Sequence, residues 1–293
     1  MARTSGLSHS NVTRRGTMRE GTAEQHGSPL GSPVQAQQTA RAVQSMFARV
    51  APRYDFLNHL LSARFDIWWR RVTAEQVRSV LERPGSLAVD LCCGTGDLTF
   101  AFARYSAGSV LGADFCHPML EIARQKRQRA AGRFNGGVHR THFIEADALA
   151  LPFGDNVLDL VSAAFGFRNL ANYSEGLSEM HRVLKPGGVI AILEFSRLRW
   201  PVVGPLFRFY FRRILPLIGT LVSGERGPYQ YLPASVERFP DQESLAQCLR
   251  DTGFLNVHYR NLMGGLAALH LGKKGTRDDA TYHLAAQKSY RRP

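Results

Sequence analysis

The chain has little cysteine for its size: four in 293 residues, with no C-x-x-C spacing and two adjacent at Cys92 and Cys93. That excludes a disulfide framework and favours a reduced, cytosolic setting. It has no run of about twenty clean apolar residues, so no membrane span is expected. Even the greasiest stretch, 198–222, is interrupted by Pro205, Arg208, Arg212, Arg213 and Pro216. Arg14-Arg15 is followed by no apolar h-region, which excludes a secretory or twin-arginine signal. His139 and His142 have H-x-x-H spacing but fall on an expected strand edge, where residues three apart face opposite sides, so no metal is expected. A third glycine is missing from the Gly94-x-Gly96 turn, where Thr99 stands instead, and no G-K-[ST] occurs anywhere. Those two absences weigh against a dinucleotide or a nucleoside triphosphate.

What is present suits one large α/β domain with tails, at 44% hydrophobic and 21% charged residues. Residues 1–35 are rich in Ser, Thr, Gly, Gln and Arg and read as a disordered basic extension, with a faint likeness to a transit peptide. Residues 36–274 read as the catalytic domain, including a helical cap at 36–84 and a helical insertion at 198–235, and 275–293 as a basic tail. The net charge is +13, with both tails contributing. Such a balance suits an anionic membrane surface or nucleic acid, and charge alone does not choose. The insertion is basic, aromatic and amphipathic; a lipid-facing or groove-lining role and plain core packing stand level for it.

From 87 onward strands and helices alternate: strands at 87–90, 109–113, 141–145, 158–163 and 189–193, helices at 118–129 and 173–184, then a helix at 245–252 and strands at 256–259 and 267–272. Alternation of this kind implies right-handed crossovers and a mostly parallel sheet with helices on both faces. The centre of the pattern is L-A-V-D-L-C-C-G-T-G-D-L-T, a strand, a tight turn and a helix start. Gly94 and Gly96 let the backbone approach a ligand, and the following helix offers free N–H groups. Asp90 ends the first strand, Asp114 the second, and Asp147 follows the third. An acid after the second strand is placed to accept both ribose hydroxyls, and one after the third to accept an adenine amino group. A phosphate-free, positively charged nucleoside, S-adenosyl-L-methionine, fits these features best.

The chain resembles the ubiquinone/menaquinone biosynthesis C-methyltransferases over residues 44–274. The resemblance rests on F-A-R-V-A-P-R-Y-D-F-L-N (47–58), the glycine turn, A-D-A-L-A-L-P-F (146–153), F-G-F-R-N (165–169), R-V-L-K-P-G-G (182–188), L-E-F-S (193–196) and G-G-L-A-A-L-H-L-G (264–272). The turn and R-V-L-K-P-G-G are common to many methyltransferases; Y-D-x-x-N, F-G-x-R-N and L-E-F-S look specific to quinone enzymes. The resemblance implies a class I methyltransferase fold, Rossmann-like, with a seven-stranded mostly parallel sheet. It implies cofactor contacts at Thr95, Asp114, Asp147 and Ala148. Members often carry Ser two residues before the glycine of F-G-x-R-N; here that residue is Ala164, which removes one candidate hydrogen bond.

The implied reaction is methyl transfer to a ring carbon of a polyprenylated quinol, demethylmenaquinol first, with a methoxybenzoquinol of ubiquinone biosynthesis as the alternative ring. Loss of a phenolic proton concentrates charge on the ortho carbon, so the site must favour a phenolate. Arg168 is the candidate stabiliser and Asn169 a positioning group, unless Arg168 is consumed by a salt bridge. Asp55, Tyr54 and Asp97 are candidate bases, unranked, and a helix cap is an equal reading of Asp55. The expected partners are the quinol, a membrane surface met peripherally from the cytoplasmic side and a second copy of the chain, but no nucleic acid. A nucleic-acid methyltransferase is the rival; amine-methylating enzymes of that kind carry [ND]-P-P-[YF] after the fourth strand, where this chain has F-G-F-R-N.

Overall fold

A computed structural model describes residues 33–131, 137–196, 220, 227–276 and 279. Most of the expected basic extension, the C-terminal tail and nearly all of 198–222 lie outside the described residues. The first helices are α1 (Pro33–Val50), α2 (Tyr54–Leu61), α3 (Phe65–Gln76) and the short α4 (Arg78–Leu81). Then come β1 (Leu87–Leu91), α5 (Asp97–Ala103), β2 (Ser109–Asp114), α6 (His117–Ala131), β3 (Thr141–Glu145) and β4 (Leu158–Ala164). The chain continues through α7 (Tyr173–Val183), β5 (Leu184–Phe195), α8 (Gly227–Arg238), α9 (Gln242–Asp251), β6 (Phe254–Leu262) and β7 (Ala267–Lys274).

The strands form one seven-stranded sheet in the order β3-β2-β1-β4-β5-β7-β6. All pairings are parallel except those of β7, which runs antiparallel to β5 and β6. Successive residues of a strand face opposite sides; in the inner strands β1 and β4 both sides are covered and the strands read as nearly unbroken apolar runs, whereas the edge strand β6 alternates. In β1, Val89 and Leu91 join one buried cluster with Leu177 and Met180 of α7 and Leu245 and Leu249 of α9, whereas Ala88 joins the other with Trp69 of α3 and Phe102 of α5. The cap helix α3 therefore belongs to the core of the domain. Burying one large side chain such as Trp69 or Phe102 contributes roughly 1.5–3 kcal/mol.

Strand five is longer than its apolar run suggests, because Lys185-Pro186-Gly187-Gly188 is carried into the edge of the ladder through a register shift opposite Leu158/Leu160 instead of ending the helix. At α7 the Asn172 side chain accepts from the Glu175 amide at 3.2 Å, and at α9 Asp241 accepts from Ser244 at 2.9 Å, two ordinary N-caps. Asp55 is not such a cap: the residue in that position of α2 is Arg53. Order reverses between β1 and β4, and a ligand crevice is expected outside the carboxyl ends of the strands at such a point. The glycine turn, the end of β2 and F-G-F-R-N all arrive there.

Candidate active site

Two cavities meet at this reversal. The smaller, about 140 Å³, is lined by Gly94, Asp114, Asp147, Ala148 and Asn169 among others. The glycine turn enters it with both glycines at positive φ, +54° and +86°. A Cβ at Gly96 would sit 2.9 Å from the Phe143 ring, so the turn needs glycine there for packing as well as for its dihedral. Asp114 is buried; its Oδ2 accepts from the Gly94 amide at 2.8 Å and its Oδ1 from the Cys116 amide at 2.8 Å. Burial raises its pKa, opposed by these backbone donors. A carboxylate offers about four acceptor sites, so capacity remains for a ligand hydroxyl. Asp147 is exposed, with Oδ1 accepting from the Leu149 amide at 2.9 Å. This donor set and the open backbone at Gly94 fit a hydroxyl-rich nucleoside.

Other expected cofactor contacts are placed elsewhere. Asp90 is 1% exposed and lies beneath the turn, not in the cleft; it accepts from Thr99 Oγ1 at 2.7 Å and Ser162 Oγ at 3.3 Å. Burial pushes it up to about 7, against those hydroxyl hydrogen bonds. Thr99, which stands where a dinucleotide turn needs glycine, thus fastens α5 to β1. The Thr95 side chain is buried and its hydroxyl donates to Asp55 Oδ1, so it is not free for a ligand. Asp55 lines neither large cavity. Lys126 of α6 donates to Asp55 at 2.9 Å and to Asp97 at 2.6 Å, clamping the cap onto the turn. Asp97 is half-buried, which works to raise its pKa, but Arg70 and Lys126 hold it below the usual carboxylate range. His59, Asp66 and Asp97 bring ligand atoms within 4.8 Å of one another, with Arg70 against Asp66 and 4.0 Å from Asp97 supplying counter-charge.

The larger cavity, about 460 Å³, is a mostly apolar chamber under α1, α2 and α3. Phe47, Tyr54 and Phe165 line both cavities and form the wall between them. Burial raises the Tyr54 pKa, partly offset by a hydrogen bond with Asn58 and by Arg70 and Arg168, so the phenol is a proton donor at neutral pH and not a base. Arg168 lines the chamber at 9% exposed, over the Phe195 ring. Its Nη1 donates to Glu194 Oε1 at 2.7 Å and to the Phe165 carbonyl, and its Nε reaches Ser235 at 3.4 Å. Glu194, only 1% exposed, also accepts from the Arg168 amide at 3.2 Å. Arg168 is thus paired, and Nη2 is its terminal nitrogen with no such bond among the described residues. Asn169 faces the nucleotide cleft and its Oδ1 accepts from Tyr231 at 3.1 Å.

Two participants escape a reading by sequence. Glu194 stands in the L-E-F-S stretch of the resemblance without a role of its own, and only the pairing of β5 with the turn after β4 brings it to Arg168. Trp69 lines the chamber, and among the described residues its buried indole N–H has no hydrogen-bond partner, a donor available to what the chamber holds.

The family model of the ubiE/COQ5 methyltransferase family matches residues 34–274. The demethylmenaquinone methyltransferase of Thermus thermophilus is 46% identical over 230 residues, covering 78% of this chain and 100% of that protein. That of Deinococcus radiodurans is 45% identical, covering 81% and 95%. The ubiquinone/menaquinone biosynthesis C-methyltransferase UbiE of Shewanella pealeana is 38% identical, covering 82% and 94%. Among solved structures the [4+2]-cyclase SpnF superposes with a TM-score of 0.57 at 17% identity, over 80% of this chain and 95% of that one. A phosphoethanolamine N-methyltransferase 2 of Haemonchus contortus does so at 0.50 and 13%, over 69% and 53%. A cyclase and a methyltransferase on one scaffold show that these likenesses establish the fold alone.

Proposed function

This chain belongs to the ubiE/COQ5 methyltransferase family, and we propose on that premise that it C-methylates a polyprenylated quinol, demethylmenaquinol foremost. S-Adenosyl-L-methionine is the methyl donor, supplying when bound an electrophilic methyl group on a sulfonium. Asp114 and Asp147 are the groups that would hold its ribose and adenine, with Gly94 and Ala148 beside them. The observation that carries the acceptor is the apolar chamber lying against the nucleotide cleft across Phe47, Tyr54 and Phe165. A flat ring seated at that wall stands next to the donor's pocket, while the apolar remainder of the chamber takes the start of a prenyl tail.

Within the chamber the chain offers hydrogen-bond donors: the Tyr54 hydroxyl, the Trp69 indole N–H and Arg168 Nη2. Donors aimed at a ring oxygen favour its phenolate form and so raise electron density on the ortho carbon. Methyl transfer to that carbon would leave a neutral thioether, with the displaced ring hydrogen passing as a proton to water. Arg168 acts as half of a neutral pair with Glu194, so its contribution is local hydrogen bonding and not a free charge. Asp55 and Asp97, tied to Lys126, act as positioning residues that hold the cap against the turn. Holding the two reactants in line contributes on the order of 7–11 kcal/mol through orientation.

Among the described residues no helix is long and apolar enough to cross a membrane. The enzyme would work on its long-tailed acceptor peripherally, from the cytoplasmic side of the membrane. The test offers methyl-labelled donor with demethylmenaquinol and with the demethylated methoxybenzoquinol side by side. Label in the naphthoquinol is expected; label in the benzoquinol alone reassigns the ring, and label in neither overturns the quinol reading.

A further inference from the structure

The chamber is formed in part by the hairpin of α2 and α3, and the outer face of that hairpin is unusual. Five of the six large hydrophobic side chains exposed among the described residues are on it: Phe56 at 62%, Trp68 at 44%, and Leu60, Phe65 and Ile67. Helical spacing explains the grouping. Phe56 and Leu60 are one turn apart on α2 and both exposed, while Leu57 is buried; Trp68 is exposed while its neighbour Trp69 is in the core. Soluble surfaces carry single exposed apolar residues freely, but a contiguous cluster marks a surface that something covers.

Exposed charge on and beside the hairpin is mostly basic. Arg53, Arg64 and Arg71 are exposed against one exposed acid, Glu75, whereas Asp55 turns to Thr95 and Lys126 and Asp66 to Arg70 and His59. Arg71 is shared with Glu75 at 2.9 Å. The turn itself places Ala63 and Arg64 at positive φ, +49° and +66°, a conformation glycine adopts more easily, which holds the Arg64 side chain at the tip. Aromatic and aliphatic tips rimmed by arginine complement an anionic lipid leaflet, where the rings sit at headgroup depth and the guanidinium groups meet phosphates.

Continuity with the chamber points the same way. Ala63 and Phe65 are exposed and also line the chamber, so its wall reaches the surface within the patch. The geometry points to the α2–α3 hairpin as the face that docks on an anionic membrane, with the chamber opening into the leaflet so that a long-tailed acceptor enters without crossing water. This deepens the quinol reading, on which the entry route rests.

The test uses the full chain with sedimenting vesicles of phosphatidylcholine and phosphatidylglycerol, and of phosphatidylcholine alone, beside the variant Phe56→Ser/Ile67→Ser/Trp68→Ser. None of these three residues lines either cavity. The wild type is expected on the anionic vesicles, with binding weakened by salt; the variant loses about tenfold or more of that binding. Its Tm and its rate on a tail-less quinol in solution stay unchanged, while its rate on a long-tailed quinol in vesicles falls. Equal vesicle binding by both proteins overturns the assignment. So does a lowered Tm with vesicle binding intact, which gives the patch to packing within the chain, or a wild-type dimer that the variant abolishes without any vesicle binding. Hairpin-dependent vesicle binding with no methylation of any quinol sinks the substrate reading and leaves the docking face standing.

Discussion

The two cavities on either side of Phe47, Tyr54 and Phe165 are built by different rules. The nucleotide cleft takes Gly94, Asp114 and Asp147 from the carboxyl ends of β1, β2 and β3, so the strand register sets the spacing of its acids. The chamber takes its wall from Met46 in α1, Leu57 in α2, Trp69 in α3, Arg168 after β4, Tyr231 in α8 and Met263 before β7. Residues so far apart meet only when the cap, the sheet and α8 have packed. Charge follows the same division. The cleft leaves carboxylate oxygens open to a ligand, whereas the ionised groups at the chamber, Arg168 with Glu194 and Arg70 with Asp66, are paired. An apolar chamber tolerates charge only when it is matched.

The sharpest way to break the comparison is to damage one cavity and read both. Asp114→Ala removes an acceptor for two charge-assisted hydrogen bonds to the cofactor, at about 1.5–3 kcal/mol each. Calorimetry should show cofactor affinity lost, while binding of a fluorescent apolar quinone analogue in the chamber persists. Unchanged cofactor affinity would remove Asp114 from the site.

On the chamber side, Arg168→Met leaves Glu194 buried and unpaired, which should cost about 3–5 kcal/mol of unfolding free energy in denaturant titrations. Arg168→Met/Glu194→Gln should recover most of that stability with cofactor affinity intact and methylation still lost. Recovery of turnover in the double variant would make Arg168 a packing residue only.

The smallest effect sharpens the scaffold beneath the cleft. Asp90, raised to about 7, binds its proton more tightly folded than unfolded, so it removes stability as pH rises from about 4 to 7. His270, buried and lowered to about 4, does the opposite and adds stability as pH rises through its window. The two slopes oppose each other in the wild type. Asp90→Asn should therefore steepen the rise of Tm between about pH 4 and 6.5, and an unaltered profile would mean that Asp90 is ionised throughout.

Much of the fold was legible because the inner strands are covered on both faces and bounded by turn residues, so apolar run and strand coincide there. The fifth strand shows the limit: its first residues look like a helix stop, and only the ladder with β4 decides otherwise. Asp114 and Asp147 could be located from strand ends. Asp90 and Thr95 carried the same local signal, yet their side chains are consumed by Thr99, Ser162 and Asp55, partners chosen by packing.

By itself the sequence determined the alternating α/β plan, the turn at Gly94 and Gly96, the acids available to a nucleoside and the absence of a clean membrane-spanning run in the chain. Those follow from periodicity, backbone freedom and composition, which act over a few residues. Tertiary structure alone decided that Arg168 is held by Glu194, that Tyr54 sits in the wall between two cavities and stays protonated, and that Trp68 faces outward while Trp69 faces in. These depend on which distant surfaces exclude water from one another, and no local pattern encodes that.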